Sequence, residues 1–276
     1  MSVAYLRCCS RIILFITVLF LILIDVSGNA QPANNTSANT KNREVALVDE
    51  KDISAPHIRV GEKLTYNIKL GWVSIGKRTD HVIEKMPFNG QQAYKVRSEA
   101  RTSSLAKVYS FRNLQYTYLN VDGLNPIHFR NQLKDRKYTA KVGIDFRDDE
   151  AEYQKISQLN PKSKEKTEKE TLEIPTGTQD ELSMIYLLRR KQLVPGTTYF
   201  FPLISKGKVL KVRLQVKRGE TMKVKGLGRI RTLVVQTSEG SRLWLTDDRR
   251  HIPVRIEAEM KIGKIRANLS NIEHIR

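Results

Sequence analysis

A two-residue hydrophobic repeat constrains this chain more than any other feature. In Leu210-Lys211-Val212-Arg213-Leu214-Gln215-Val216-Lys217, apolar and polar residues swap at every step. The same holds in Val254-Arg255-Ile256-Glu257-Ala258-Glu259-Met260-Lys261-Ile262. Successive side chains of a strand point to opposite faces, so the repeat buries one set and leaves the other in water. Half-buried strands of this kind pair antiparallel. Further strand patterns run over residues 63–70, 77–84, 93–100, 109–120, 126–134, 140–146, 230–237 and 242–245. Asn89-Gly90, Asp122-Gly123, Lys206-Gly207 and Arg218-Gly219 supply turns between them. The spacing predicts a mainly β fold, a large antiparallel curved sheet or barrel-like fold of about ten strands with one short helix.

The helix is expected after Thr178-Gln179-Asp180-Glu181, which matches a capping box. Leu182, Ile185 and Leu188, with Met184, form an apolar stripe, and Arg189-Arg190-Lys191 suits the negative end of a helix. A lone helix in a β protein is expected to plug a barrel end or cover a sheet edge. Ile75-Gly76-Lys77 and Ile262-Gly263-Lys264 echo each other inside strand patterns, and Gly at such positions predicts a bulge or a sharp bend.

The N-terminus addresses the chain. Arg7 and Arg11 precede an apolar run from Ile12 to Ile24, and Gly28-Asn29-Ala30 offers small residues for cleavage after Ala30. This reads as a secretory signal peptide over residues 1–30, with an uncleaved anchor as the alternative. After cleavage no spanning segment remains. Residues 31–56 are rich in Asn, Thr, Ser and Ala and read as a flexible linker. Residues 57–276 form a single β-rich domain, with an exposed charged loop or long hairpin tip near 158–173. Cys8 and Cys9 both lie in the signal. The exported part therefore has no disulfide, thiolate metal site or Cys nucleophile.

Several familiar chemistries lack their motifs. His57, His81, His128, His251 and His274 stand singly, with no zinc-binding spacing. There is no Gly-x-Ser-x-Gly elbow, phosphate loop or dinucleotide fingerprint. Asp148-Asp149-Glu150 and Asp247-Asp248 could bind a cation, but adjacent strand side chains point apart and Asp favours turns. Asp247-Asp248 therefore reads as a hairpin turn in which Arg249 or Arg250 pairs with an Asp. No catalytic residue, metal or cofactor is assigned.

Four pieces in order resemble one family: Gly61-Glu62-x-Leu64-x-Tyr66; Trp72 to Gly76; Asp180-x-Leu182-Ser183 with Tyr186-x-Leu188-Arg189; and Trp244-Leu245-Thr246-Asp247-Asp248-Arg249-Arg250-His251-Ile252-Pro253-Val254. This combination is similar to the bacterial exported family catalogued as domain-of-unknown-function 3108, from about His57 to Leu269. The resemblance implies a mostly β domain in the cell envelope and supplies no catalytic residues.

Charge is the remaining clue. The chain has 48 Lys+Arg against 29 Asp+Glu, a formal +19. Signal removal takes Arg7, Arg11 and Asp25, so the exported part holds 46 basic and 28 acidic residues, +18. Ten basic residues fall within 203–232, with Glu220 as the sole acid. Lys211 and Arg213, Lys223 and Lys225, and Arg229 and Arg231 are each spaced by two, so each pair shares a strand face. In a three-strand meander these six charges would line one face, with Val212, Leu214, Val224 and Ile230 on the other. That face either solubilises the protein or binds an anionic lipid, lipopolysaccharide or acidic glycan at a membrane surface. Nucleic acid is disfavoured, because export removes the protein from it and 203–232 contains no aromatic for base stacking. Trp72 and Trp244 are candidate cavity-lining residues. The expected function is a non-catalytic periplasmic envelope protein that binds or helps place an amphiphilic, anionic component. The alternatives are an envelope scaffold with protein partners and an unrecognised enzyme acting on glycans or lipids.

Overall fold

The structure, a computed structural model, describes residues 58–102, 110–238, 240–260 and 263–275. The expected signal peptide, residues 1–30, and the expected linker, residues 31–56, lie outside the described residues. The first half is a meander of eight strands: β1 (Glu62–Leu70), β2 (Val73–Phe88), β3 (Gln91–Thr102), β4 (Phe111–Asn120), β5 (Pro126–Asp135), β6 (Tyr138–Phe146), β7 (Glu150–Gln158) and β8 (Lys166–Glu173). Helix α1 (Ser183–Arg190) follows. The second half holds β9 (Thr198–Ser205), β10 (Lys208–Arg218), β11 (Met222–Val224), β12 (Gly228–Ile230), β13 (Thr232–Thr237), β14 (Arg242–Thr246), β15 (Pro253–Met260) and β16 (Gly263–His274).

Fourteen of these strands form one antiparallel sheet in the order β8-β7-β6-β5-β4-β3-β2-β1-β16-β15-β14-β13-β10-β9. β11 and β12 make a separate two-stranded sheet. The mainly β class and the one helix among the described residues follow the sequence reading, although the strands exceed the expected ten or so. Where the repeat was clean the strand lies where the pattern put it. β9 was missed because Tyr199-Phe200-Phe201-Pro202 does not alternate. β8 falls in the segment read as a charged loop. It is an edge strand with most residues exposed. Ion pairs of Glu168 with Lys155 and Lys166 take the place of apolar burial there, so no repeat marks it.

The sheet curls until its edges approach. Gly207, in the β9–β10 turn, sits so close to Tyr153 of β7 that a Cβ would lie 3.0 Å from the ring. Gln179 borders the free edge of β9, donating from its amide to Pro202 and accepting from that of Ile204. The expected bend appears at Gly76. The β1–β2 register passes from Ile68 opposite Gly76 to Lys69 opposite Ser74, leaving Ile75 as an extra residue. A Cβ on Gly76 would lie 2.4 Å from the Arg101 carbonyl oxygen, so this approach needs glycine.

Helix α1 is a plug, and all its residues up to Arg189 are buried. Its start differs from the capping box. Asp180, not Thr178, accepts the first amides, from Leu182 and Ser183 at 2.7 and 2.8 Å, while Thr178 donates to the Pro175 carbonyl. At the far end Arg189, 1% exposed, forms a bidentate pair with Glu62 of β1 at 2.6 and 3.0 Å. Its Nε donates to the Arg250 carbonyl, and its own carbonyl meets His251 Nδ1 at 3.0 Å.

Breaking such a buried pair on one side leaves an uncompensated charge in a dry site. Arg189→Met is therefore expected to cost about 3 kcal/mol or more in urea unfolding, and Glu62→Leu in the same chain to restore much of it. A single variant as stable as the wild type would show that the pair does not anchor the plug.

Candidate functional site

Alternation turns every second residue of the strands inward, and at one height those residues are polar. Asp80, Ser98, Gln115 and Asn131 stand opposite one another on β2, β3, β4 and β5. Arg78 and Asn113 lie one inward position to one side of this row, and Thr117 one to the other. The layer separates two apolar cores. One contains Tyr66, Phe111 and Leu133 with Met184, Leu187 and Leu188 of the helix. The other contains Val82, Leu119 and Phe129 with Leu182 and Tyr186. Helix α1 crosses the layer and contributes to both.

Most of the layer's groups are matched. Arg78 Nε donates to both oxygens of Asp80 at 2.8 and 3.1 Å, and Ser98 Oγ donates to Asp80 at 2.5 Å. Thr117 Oγ1 donates to Asp180 at 2.6 Å. Glu181 does not reach back to close a capping box. It accepts from Ser205 Oγ at 2.8 Å and, at 3.5 Å, from Gln115 Nε2. Burial pushes the Asp180 carboxyl up against its four hydrogen bonds. Burial, with Asp180 alongside, also raises Glu181 to about 7 despite the Ser205 hydroxyl and nearby Lys206. The amide oxygens of Asn113, Gln115 and Asn131 are buried without a donor among the described residues. No group of three or more His, Asp or Glu among the described residues is placed to hold a metal.

The two tryptophans do not line a cavity. Trp72, at the tip of the β1–β2 hairpin, is 90% exposed. Trp244 lies on the face opposite Leu243 and Leu245 and is 5% exposed. It is held between the Arg242 and Arg255 guanidinium groups, 5.1 and 5.3 Å from its ring centroid. A recess between Ile68, Ile75, Phe111 and Ile265 encloses only about 10 Å³, room for about one water molecule and far too little for a small-molecule site.

The structure splits the predicted basic face. Lys211 and Arg213 are exposed on β10, and the Lys211 ammonium lies 4.8 Å from the Phe200 ring centroid. β11 and β12 do not continue a meander with β10, because β10 pairs with β9 and β13. They form a small hairpin in which Lys223 stands directly opposite Arg229. Met222 and Val224, on its other face, belong to the first core. Lys225 is exposed at the hairpin turn, and Arg231 follows, 3.6 Å from Asp247. No carboxylate among the described residues lies within 4 Å of Lys211, Arg213, Lys223, Lys225 or Arg229. Cations a little further on are paired: Arg242, Arg266 and Lys264 surround the buried Glu257. In the Asp247-Asp248 turn, Arg250 clasps Asp248, as read from the sequence.

Fold and site together define a barrel-like antiparallel β protein with a buried helical plug. The chain belongs to the family described as "Protein of unknown function (DUF3108)", which matches over residues 65–270. Among solved structures it is similar to a β-barrel-like protein of domain of unknown function DUF1849 from Brucella abortus. That likeness has 14% identity, a TM-score of 0.48, and coverage of 78% of this chain and 98% of the other. No curated protein matches.

Glu181 yields a pH dependence. Between the ordinary carboxylate range and pH 7, the folded protein keeps a proton that the unfolded chain releases. Stability from this group is therefore present at low pH and lost as pH rises towards 7. Partial solvent access to the residue limits the loss to about 2 kcal/mol between pH 5 and pH 8. Urea midpoints for Glu181→Gln are expected to be flatter over that range. A wild-type and variant profile of equal slope would remove Glu181 as the titrating group.

Proposed function

We propose that the protein is a non-catalytic component of the bacterial cell envelope, exported to the periplasm, that binds an anionic amphiphile on its outer surface and helps place it. The observation that carries this reading is the β11–β12 hairpin. Like charges directly opposite on paired strands destabilise the pair, yet Lys223 faces Arg229 with no carboxylate within 4 Å among the described residues. Its apolar underside anchors the hairpin to the core, so the two cations are presented on a fixed platform. An anion bridging them would relieve the repulsion. Phosphates of lipid or lipopolysaccharide and carboxylates of an acidic glycan share the required chemistry.

Helix α1 fills space that a carrier would leave for its cargo, which supports binding on the outside rather than within. The same filled interior supports a second reading, an envelope scaffold that presents the hairpin to an acidic protein.

The test is Lys223→Glu with Arg229→Glu. Both residues are exposed, so far-UV circular dichroism should not change. Binding to lipopolysaccharide at low salt is expected to fall about tenfold or more, with a weaker salt dependence. Competition by soluble acidic glycan would identify the sugar rather than the lipid as the ligand. Undiminished binding to both lipopolysaccharide and the glycan would overturn the assignment of the hairpin.

A further inference from the structure

A second feature of the surface lies at the other end of the strands. In an antiparallel sheet alternate hairpins emerge at the same rim. The turns β1–β2, β5–β6, β7–β8 and β9–β10 share one rim. The turns β4–β5, β6–β7 and β14–β15 share the opposite one, where the β11–β12 hairpin also joins β10 to β13.

The two rims differ in chemistry. On the second, the turns mix Asp122, Asp148, Asp149, Asp247 and Asp248 with Arg147, Arg249 and Arg250. On the first, the β1–β2 tip exposes Trp72 at 90% and Val73 at 45%, and the β7–β8 tip exposes Leu159 at 71%. Lys137, Lys162, Lys164 and Lys206 occupy the turns of this rim, and Glu165 is the acid among their described residues. Just behind the Trp72 tip, Lys77 faces Arg101, Arg101 faces Arg112, and Arg112 faces Lys134 across four adjacent strands. All four are exposed and on the outer face. Arg112 bonds to Glu99, whereas Lys77, Arg101 and Lys134 have no carboxylate within 4 Å among the described residues.

A large indole held out in water is an unfavourable arrangement unless something covers it. Trp is suited to the bilayer interface, where its ring meets acyl chains and its N–H meets headgroups. A row of exposed cations a few residues behind the tip is attracted to anionic headgroups. We infer that this rim docks on the surface of an anionic phospholipid bilayer, with Trp72 inserted at the interface and the Lys77–Arg101–Arg112–Lys134 row against the lipid phosphates. Charge complementarity selects this occupant: an acidic protein could satisfy the row but would leave the indole tip without an apolar layer. The inference does not rest on the hairpin reading, because the two sites are at opposite rims.

The probe is a set of vesicles of phosphatidylcholine alone or with phosphatidylglycerol. The full exported chain is expected to sediment with the anionic vesicles, and its Trp emission to shift to the blue. Trp244 is already enclosed and should contribute little to that shift. Trp72→Ser should lower partitioning about tenfold while leaving the thermal midpoint unchanged, and Lys77→Glu with Arg101→Glu should lower it at least as much. Equal partitioning of wild type and Trp72→Ser would overturn the inference. So would a fall in the thermal midpoint of Trp72→Ser, or a Trp72-dependent dimer in the absence of lipid. Lys223→Glu with Arg229→Glu should leave vesicle partitioning through the rim in place. Loss only in that hairpin variant would instead uphold the hairpin site and remove the rim.

Discussion

Fourteen antiparallel strands curled around one interior enclose more space than their own side chains can fill, since barrel width grows with strand number and about eight strands already reach the filled limit. The rest of this structure follows from meeting that demand with a helix. A helix brought into a β interior carries unpaired amides at one end and unpaired carbonyls at the other. Asp180 takes the first amides of α1, and Arg189 and His251 tie down the far end. Once Asp180 is buried it needs a donor of its own, which Thr117 supplies from β4. Arg189 likewise needs a counter-charge, which Glu62 supplies from β1. The plug therefore fixes the identity of inward residues on strands far from it in sequence.

The polar layer is the cost of this arrangement and also a source of specificity. An all-apolar interior would let the helix slide or rotate, whereas matched hydrogen bonds hold one register. Met184 and Leu188 belong to one core and Leu182 and Tyr186 to the other. A displacement by one turn would thus move apolar groups into the layer and acids into a core. The row of amides and hydroxyls on β3 to β5 is where the helix entrance rests. That is why Glu181, next to the cap, is desolvated enough to titrate near neutral pH.

The β fold was legible wherever one strand face is buried and the other wet, as in β10 and β15. It was illegible where that condition fails. β8 is exposed over most of its length, and β9 breaks alternation with three consecutive aromatics and a proline. The helix was visible from the Leu182, Ile185 and Leu188 stripe, but its cap was placed at Thr178 because the choice between Thr178 and Asp180 depends on β4, more than sixty residues away. The basic segment 203–232 was conspicuous as composition, yet spacing by two only says that neighbours in one strand share a face. Whether β10 and β11 share a sheet is a tertiary fact, and here they do not. Trp72 and Trp244 illustrate the same limit. Each sits in a strand-like sequence, and one ends as a bare hairpin tip while the other is sheathed by two arginines.

Register also explains why the basic rim escaped notice. Lys77, Arg101, Arg112 and Lys134 are scattered over nearly sixty residues and form no run in the sequence. They become one row because three successive hairpins bring them level. Three like-charge contacts in line cost stability in each strand pair. Nearby surface shows that this sequence can do otherwise: around Glu257, an acid is set among Arg242, Lys264 and Arg266 and its carboxyl is held down, the penalty of burial being outweighed by hydrogen bonds from Arg266 and Arg242. The contrast matters for function. Around Glu257 the cations are neutralised within the chain, whereas most of those on the rim and on the β11–β12 hairpin have no carboxylate within 4 Å among the described residues. With α1 filling the interior, both proposals place the partner on the outer surface, one at each rim.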